Sequence, residues 1–296
     1  MGYPLFEEDN RALPPGFNGP VFIWDIDKTY LATHFSSIRG LARIPIEFAV
    51  DKNAIPGMPE ILRGLRNGPG PGFACTPLYF VTAGPPLLRK VLEQKMLLDG
   101  VEFDGITFKD WFRTLKQRRP GRLREQVGYK LCALLSGRYR RPMATEYLFG
   151  DDVEQDATAF HLYAMLIHRE ISAGEAVVKL TEAGVRKDDR RHVGRLLDRL
   201  PHPRGRVKQI FIHLEKGTPP AHFEPFGKIV APVKTSFQLG LALYEQGLIR
   251  DEAVLQSRSA VLLQTGAADE DLDAQRVDAV ERGLISRKKA SAFRCG

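Results

Sequence analysis

The feature that most constrains this chain is a recurring unit: a short apolar run that stops abruptly in polar residues, followed by a segment of helical periodicity. The run at 21–25 (VFIWD) is rich in β-branched and aromatic residues, the profile of a strand buried on both faces and opening into a loop at its C-terminal end. A proline-started helix over 56–68 follows, with Ile61, Leu62 and Leu65 on one face and Gly68 as its stop. The run at 77–84 repeats the strand profile. Behind it a helix closing at Asp99-Gly100 carries Leu87, Leu88, Val91, Leu92 and Met96 at helical spacing. Residues 101–108 give a third strand. A helix over 123–135, striped by Leu123, Val127, Leu131 and Leu134, ends at Gly137. Residues 146–152 form a strand ending in carboxylates, with a helix through 157–167 behind it. This alternation predicts an α/β fold, a Rossmann-like three-layer sandwich with a mostly parallel sheet and right-handed crossovers.

The same pattern sets the organisation. Residues 1–19, rich in Pro and Gly, read as a loosely ordered lead-in, and 20–167 as the core. A basic helical pair over 168–206 interrupts it. A strand at 207–215, a Pro/Gly-rich loop and a helix from PVKTSFQLGLALYEQG complete the core to 245, and 246–296 is a polar helical extension. The segments LTEAGV, LYEQGLI and AVERGLI read as three glycine-capped helix ends rather than as a repeat.

Composition excludes several classes. With 43% hydrophobic and 27% charged residues, the chain is globular rather than disordered or membrane-embedded. Its net charge of +7 is compatible with anionic substrates but does not by itself identify a nucleic-acid binder. Three scattered cysteines without a CxxC argue against both disulfides and a zinc cluster, and the histidines show no metal-ligand spacing. The N-terminus lacks a secretory pattern, and no apolar run reaches the roughly 20 residues that span a bilayer. The expectation is a cytoplasmic protein.

Ligands of such sheets bind beyond the carboxyl ends of the strands. Three strands end in reactive groups there: Asp25 and Asp27 after the first, Thr82 with Ala83 after the second, and Asp151 and Asp152 after a later one, with Asp156 a turn further on. Lys130 lies on the helix preceding that last strand. Carboxylates crowded at one sheet edge repel each other, and Mg²⁺, which takes oxygen ligands, is the natural remedy. A carboxylate can attack phosphorus, a second can shuttle the proton, and a hydroxyl and an ammonium can hold the phosphoryl oxygens. The chemistry expected is metal-assisted phosphoryl transfer. Asp152 is either a further ligand or the cap of a helix starting near Val153.

In this order the motifs DIDKT, strand-ending Thr82, Lys130 and GDD…D resemble the four motifs of the haloacid-dehalogenase-like phosphohydrolase superfamily, over roughly residues 20–166 and more loosely over 207–245. The resemblance implies that Asp25 is the nucleophile and a Mg²⁺ ligand. It implies that Asp27 is the general acid/base and offers its backbone carbonyl to the metal. Thr82 and the Ala83 amide would bind the phosphoryl group, and Lys130 would neutralise its charge. Asp151 would be the main distal ligand, and Asp156 a second ligand or its support. The segments YFVTAGPPLLRKVLE, GYKLCALL and LFGDDVEQDATAFHLYA further resemble actin-patch-associated phosphatidate phosphatases and their bacterial relatives, from which Lys28, Thr82 and Asp152 depart. That resemblance points to phosphatidate-like phospholipid monoesters.

The spacings 29–56 and 82–130 leave no room for a large lid, which suits a bulky substrate. A basic run (Arg113, Lys116, Arg118, Arg119, Arg122, Arg124, then Arg138, Arg140, Arg141), with Trp111 and Phe112 beside it, is either a solvated face or a landing surface for anionic lipid, polynucleotide or another phosphate-rich partner. Nucleic-acid ends or soluble phosphate esters are the alternative substrates. A phosphate- or lipid-binding module without turnover is the alternative class.

Overall fold

A computed structural model of the chain describes residues 3, 5–14, 16–32, 53–110, 126–200 and 205–294. The expected α/β architecture is present. Seven strands, β1 (Leu5–Asp9), β2 (Pro20–Asp25), β3 (Leu78–Thr82), β4 (Gly105–Lys109), β5 (Thr145–Asp151), β6 (Arg206–His213) and β7 (Val230–Val233), form one sheet in the order β1-β4-β3-β2-β5-β6-β7. Every pairing is parallel except β1 with β4.

Strand periodicity of two splits the central side chains between two cores. Phe22, Trp24, Phe80, Phe149 and Phe211 face one side, where α1 (Met58–Asn67), α2 (Arg89–Leu98), α7 (Ser236–Glu245), α8 (Asp251–Thr265) and α9 (Asp269–Glu281) pack. Val21, Ile23, Val81, Leu148 and Ile210 face the other, covered by α3 (Val127–Arg140), α4 (Asp156–His168), α5 (Ala173–Glu182) and α6 (Lys187–Arg199). The result is a three-layer sandwich. On the first face Trp24 stacks on Phe149 at 4.1 Å between centroids, and Phe149 on Phe211 at 5.3 Å, welding the neighbouring strands β2, β5 and β6 together.

The chain leaves β2 toward β3 and β4, then returns across the sheet through α3 to β5 on the other flank of β2. The order of strands therefore reverses between β2 and β5. That switch point is where an open α/β sheet leaves a crevice at its carboxyl edge.

Several boundaries differ from the sequence reading. The lead-in contains β1, a half-exposed strand whose acids are paired: Glu8 with Arg89, and Glu7 and Asp9 with Arg140. An antiparallel edge strand needs no apolar run, so the pattern hid it. Residues 230–233 are a strand, where the sequence pattern predicts the end of a loop and, from Pro232, the start of a helix. Pro232 is tolerated because β7 is at the sheet edge, and its carbonyl accepts from Arg282 (2.7 Å). The third strand begins at Gly105 rather than 101. Helix α3 runs through Gly137 to Arg140, and Leu87 is exposed rather than packed. The three helix-end glycines do take left-handed conformations, at φ 72°, 67° and 71° for Gly184, Gly247 and Gly283.

The helical pair 168–206 appears as α5 and α6, the latter packed on α3. Of the basic run, Trp111, Phe112 and Arg113 to Arg124 lie outside the described residues, as does most of 29–56. Arg138 is fully buried against Glu146, Arg140 pins β1, and Arg141 stacks over the Tyr79 ring at 3.9 Å. These three arginines serve the fold rather than a free basic surface. Among the described residues no helix is long and apolar enough to cross a membrane.

Candidate active site

The crevice between β2 and β5 collects the acidic residues. Asp25 ends β2 and Asp151 ends β5; both are buried. After Asp25 the chain turns tightly. Tyr30 and Leu31 donate to the Ile26 carbonyl at 3.0 and 2.9 Å, and Lys28 takes a left-handed conformation (φ 61°) with its N–H on the Leu31 carbonyl. That turn buries Asp27, and Thr82 at the end of β3 donates to Asp27 Oδ2 at 3.3 Å. The Thr82 hydroxyl in turn accepts from the Gly84 N–H at 2.9 Å, so it sits within a polar turn that also buries Ala83.

Helix α3 runs antiparallel to the strands and brings its first turn to this edge. Lys130 is fully buried there, 2.8 Å from Asp25 Oδ1, 2.7 Å from Glu154 Oε2 and in contact with Asp156. Its neighbour Tyr129 donates to the Thr82 and Thr107 carbonyls (2.7 and 3.1 Å), locking the helix start onto the ends of β3 and β4. Asp151 Oδ1 accepts from the N–H groups of Val153 and Glu154 (2.5 and 2.7 Å), and Asp156 Oδ2 from the Asp151 N–H (3.2 Å). Gly150 is required by this packing: a Cβ there would lie 2.6 Å from Asp156 Cβ.

Sequence reasoning thus named Asp25, Asp27, Thr82, Ala83, Lys130, Asp151 and Asp156, and the fold gathers all seven at one edge. Asp152 belongs elsewhere. Its carboxylate accepts from the N–H groups of Lys216 and Thr218 (2.8 and 3.0 Å), which outweighs its partial burial and holds it below the usual carboxylate range. It ties down the loop after β6 instead of joining the cluster, and it caps no helix, since α4 begins at Asp156. One residue, Glu154, goes unnoticed in the sequence, and a second, His213, reads there only as an ordinary histidine. Glu154 lies in the turn before Asp156, where a single acid in GDDVEQD carries no periodic signal. His213 ends β6 with Nδ1 3.2 Å from the Lys28 carbonyl, and burial pushes its imidazole down, so it is neutral at pH 7.

The electrostatics define what the cluster can hold. Asp25, Asp151, Glu154 and Asp156 each present an oxygen within 4.8 Å of the others. Burial is the largest cause of the upward shifts. Asp25 rises well above the carboxylate range even with Lys130 beside it. Asp151 is pushed up to about 8, with Asp156 adding to the effect, and Asp156 to about 6, with Lys130 opposing. Four carboxylates against one ammonium call for a further cation or for protons.

The oxygens with no hydrogen bond show where a cation would go. Neither oxygen of Asp25 has a hydrogen bond, Oδ1 meeting the Lys130 ammonium as an ion pair at 2.8 Å, and Asp151 Oδ2 has no hydrogen bond either. Orphaned buried carboxylate oxygens are costly unless a ligand satisfies them. An all-oxygen donor set suits a hard cation such as Mg²⁺ rather than zinc. Asp25 and Asp151 therefore fit as ligands, whereas both oxygens of Asp156 are already occupied by Lys130 and the Asp151 N–H.

The fold and site define a doubly wound α/β protein with a buried carboxylate–lysine cluster at its switch point. Comparison of the chain with protein-family models, with curated proteins and with solved structures finds no match.

Proposed function

We propose that the protein is a Mg²⁺-dependent phosphatase of the haloacid-dehalogenase-like type, acting through a phosphorylated Asp25. The observation that carries this reading is the buried meeting of Asp25, Asp151 and Lys130 at the switch point, with orphaned oxygens on both aspartates. Mg²⁺, held by Asp25, Asp151 and the Asp27 carbonyl, would neutralise the cluster and keep Asp25 ionised.

Asp25 attacks the phosphorus of a monoester, forming the acyl phosphate as the ester P–O bond breaks. The leaving alkoxide takes a proton from Asp27. Asp27, now a base, removes a proton from water, which attacks the acyl phosphate and returns Asp25 and inorganic phosphate. Thr82 and the Ala83 amide hold phosphoryl oxygens. Lys130 supplies fixed positive charge beside Asp25 in a water-poor site, where it acts strongly. Asp156 holds Lys130 and the Asp151 backbone in place.

Phosphatidate-like phospholipid monoesters are the substrate class this reading favours, from the resemblance in the sequence. The test is phosphate release from an aryl phosphate, from phosphatidate in mixed micelles and from a 3′-phosphorylated oligonucleotide, with and without Mg²⁺, for wild type and Asp25→Asn. Mg²⁺-dependent release lost in the variant supports the chemistry, and the fastest substrate identifies the class. Release that survives Asp25→Asn overturns it.

A further inference from the structure

We propose that Glu154 is a positioning residue that aims Lys130 at Asp25, and not a ligand of the metal; this rests on the phosphatase reading above. Glu154 lies in the turn between β5 and α4 with its side chain only 4% exposed, and its two oxygens are engaged by the first turn of α3 and by the N-cap before it. Oε2 lies 2.7 Å from Lys130 Nζ, and Oε1 accepts from Gln126 Nε2 at 2.6 Å. Gln126 is the N-cap of α3 and Lys130 lies four residues on, at the end of its first turn. One carboxylate therefore ties the N-cap of α3 to its first turn. Its own N–H donates to Asp151 Oδ1 at 2.7 Å, so the residue also braces the turn that presents the orphaned Asp151 Oδ2. A carboxylate with both oxygens occupied is a poor ligand, while Asp25 and Asp151 offer unoccupied ones.

With Glu154 absent, Lys130 keeps Asp25 and Asp156 but loses the partner that fixes its third direction. An ammonium free to swing toward Asp156 stabilises the phosphoryl group less, a loss felt in the chemical step rather than in binding. A glutamine in its place keeps an acceptor for Lys130 and a partner for Gln126.

The experiment compares full-length wild type, Glu154→Ala and Glu154→Gln. Steady-state kinetics on an aryl phosphate are measured as a function of Mg²⁺. The Lys130 ammonium signal is recorded by lysine ¹⁵N NMR, assigned by its loss in Lys130→Met. Glu154→Ala should lower kcat by about 10–100-fold, the scale seen when an outer partner of a reactive group is removed. KM and the Mg²⁺ concentration for half-activation should be unchanged. Glu154→Gln should recover most of kcat, and the ammonium signal should broaden in the alanine variant alone. A raised Mg²⁺ requirement in both variants would make Glu154 a ligand and overturn the proposal; wild-type kcat with a sharp ammonium signal in Glu154→Ala would do the same. If wild type releases no phosphate, the phosphatase reading falls, and the ammonium signal still decides the positioning role.

Discussion

Replacing Lys130 by methionine tests the electrostatic account of the cluster without reference to any substrate. The ammonium is fully buried and lies within 2.8 Å of Asp25 and 2.7 Å of Glu154, with Asp156 also in contact. Methionine preserves most of the volume and removes the only positive charge in the group. Removing one partner of a buried pair costs about 3–5 kcal/mol, and at about 2–4 °C per kcal/mol for a chain of this size Tm should fall by about 6–20 °C.

The deficit must also depend on pH in a definite direction. Asp25, Asp151 and Asp156 are already raised in the folded protein, Asp151 to about 8 and Asp156 to about 6. The folded state then binds more protons than the unfolded chain between the ordinary carboxylate range and those raised values. Stability is therefore lost as pH rises through that window. Without Lys130 the carboxylates rise further, so the variant should be near wild type at pH 5 and most impaired at pH 8, with Mg²⁺ restoring part of the loss. Thermal unfolding at both pH values, with and without Mg²⁺, measures this. An equal loss at pH 5 and pH 8, or a shift below about 1 °C, would refute the reasoning.

Other expectations follow from individual contacts. Gly150→Ala should destabilise by about 1–3 kcal/mol in chemical denaturation, because its methyl group displaces the Asp156 side chain, and should lower Mg²⁺-dependent turnover. Mg²⁺ binding at pH 7 should release protons, since Asp151 is held near 8 before the metal arrives; titration calorimetry in buffers of different ionisation enthalpy reads this, and a buffer-independent heat would contradict it. Asp152→Ala should cost about 1–2 kcal/mol through the freed Lys216 and Thr218 N–H groups while leaving the Mg²⁺ half-activation concentration unchanged. Phe149→Ala should cost about 3–5 kcal/mol by breaking the aromatic stack on Trp24 and Phe211.

What the sequence made legible follows from burial. Strands such as 21–25 and 78–82 are covered on both faces, so their apolar runs are continuous and their polar ends mark the carboxyl edge. Asp25, Thr82 and Asp151 were readable for the same reason, since each is the first polar group after such a run; Asp27, Ala83 and Asp156 follow them closely, and Lys130 was placed only by its order among the motifs. β1 and β7 escaped because edge strands follow other rules: β1 carries three consecutive acids that find arginines 81 to 133 residues away, and β7, though buried, carries a proline. Gly137 read as a helix stop because glycine ends helices in sequence patterns; inside α3 it makes room for Arg141, whose guanidinium stacks on Tyr79. Glu154 and the true role of Asp152 were invisible because both depend on which loops the fold brings together. Adjacent acids in GDDVEQD point in different directions once β6 and α3 are in place.

If Asp25 carries the phosphoryl group, as proposed, the phosphorylated residue can be trapped. Wild type turning over its fastest phosphate monoester with Mg²⁺ is acid-quenched within a single turnover and reduced with borohydride, which converts an acyl phosphate to an alcohol. Peptide mass spectrometry should then find homoserine at position 25, absent when Mg²⁺ or substrate is omitted. Steady turnover with an unmodified Asp25, or with the reduced residue elsewhere in the cluster, would contradict the account.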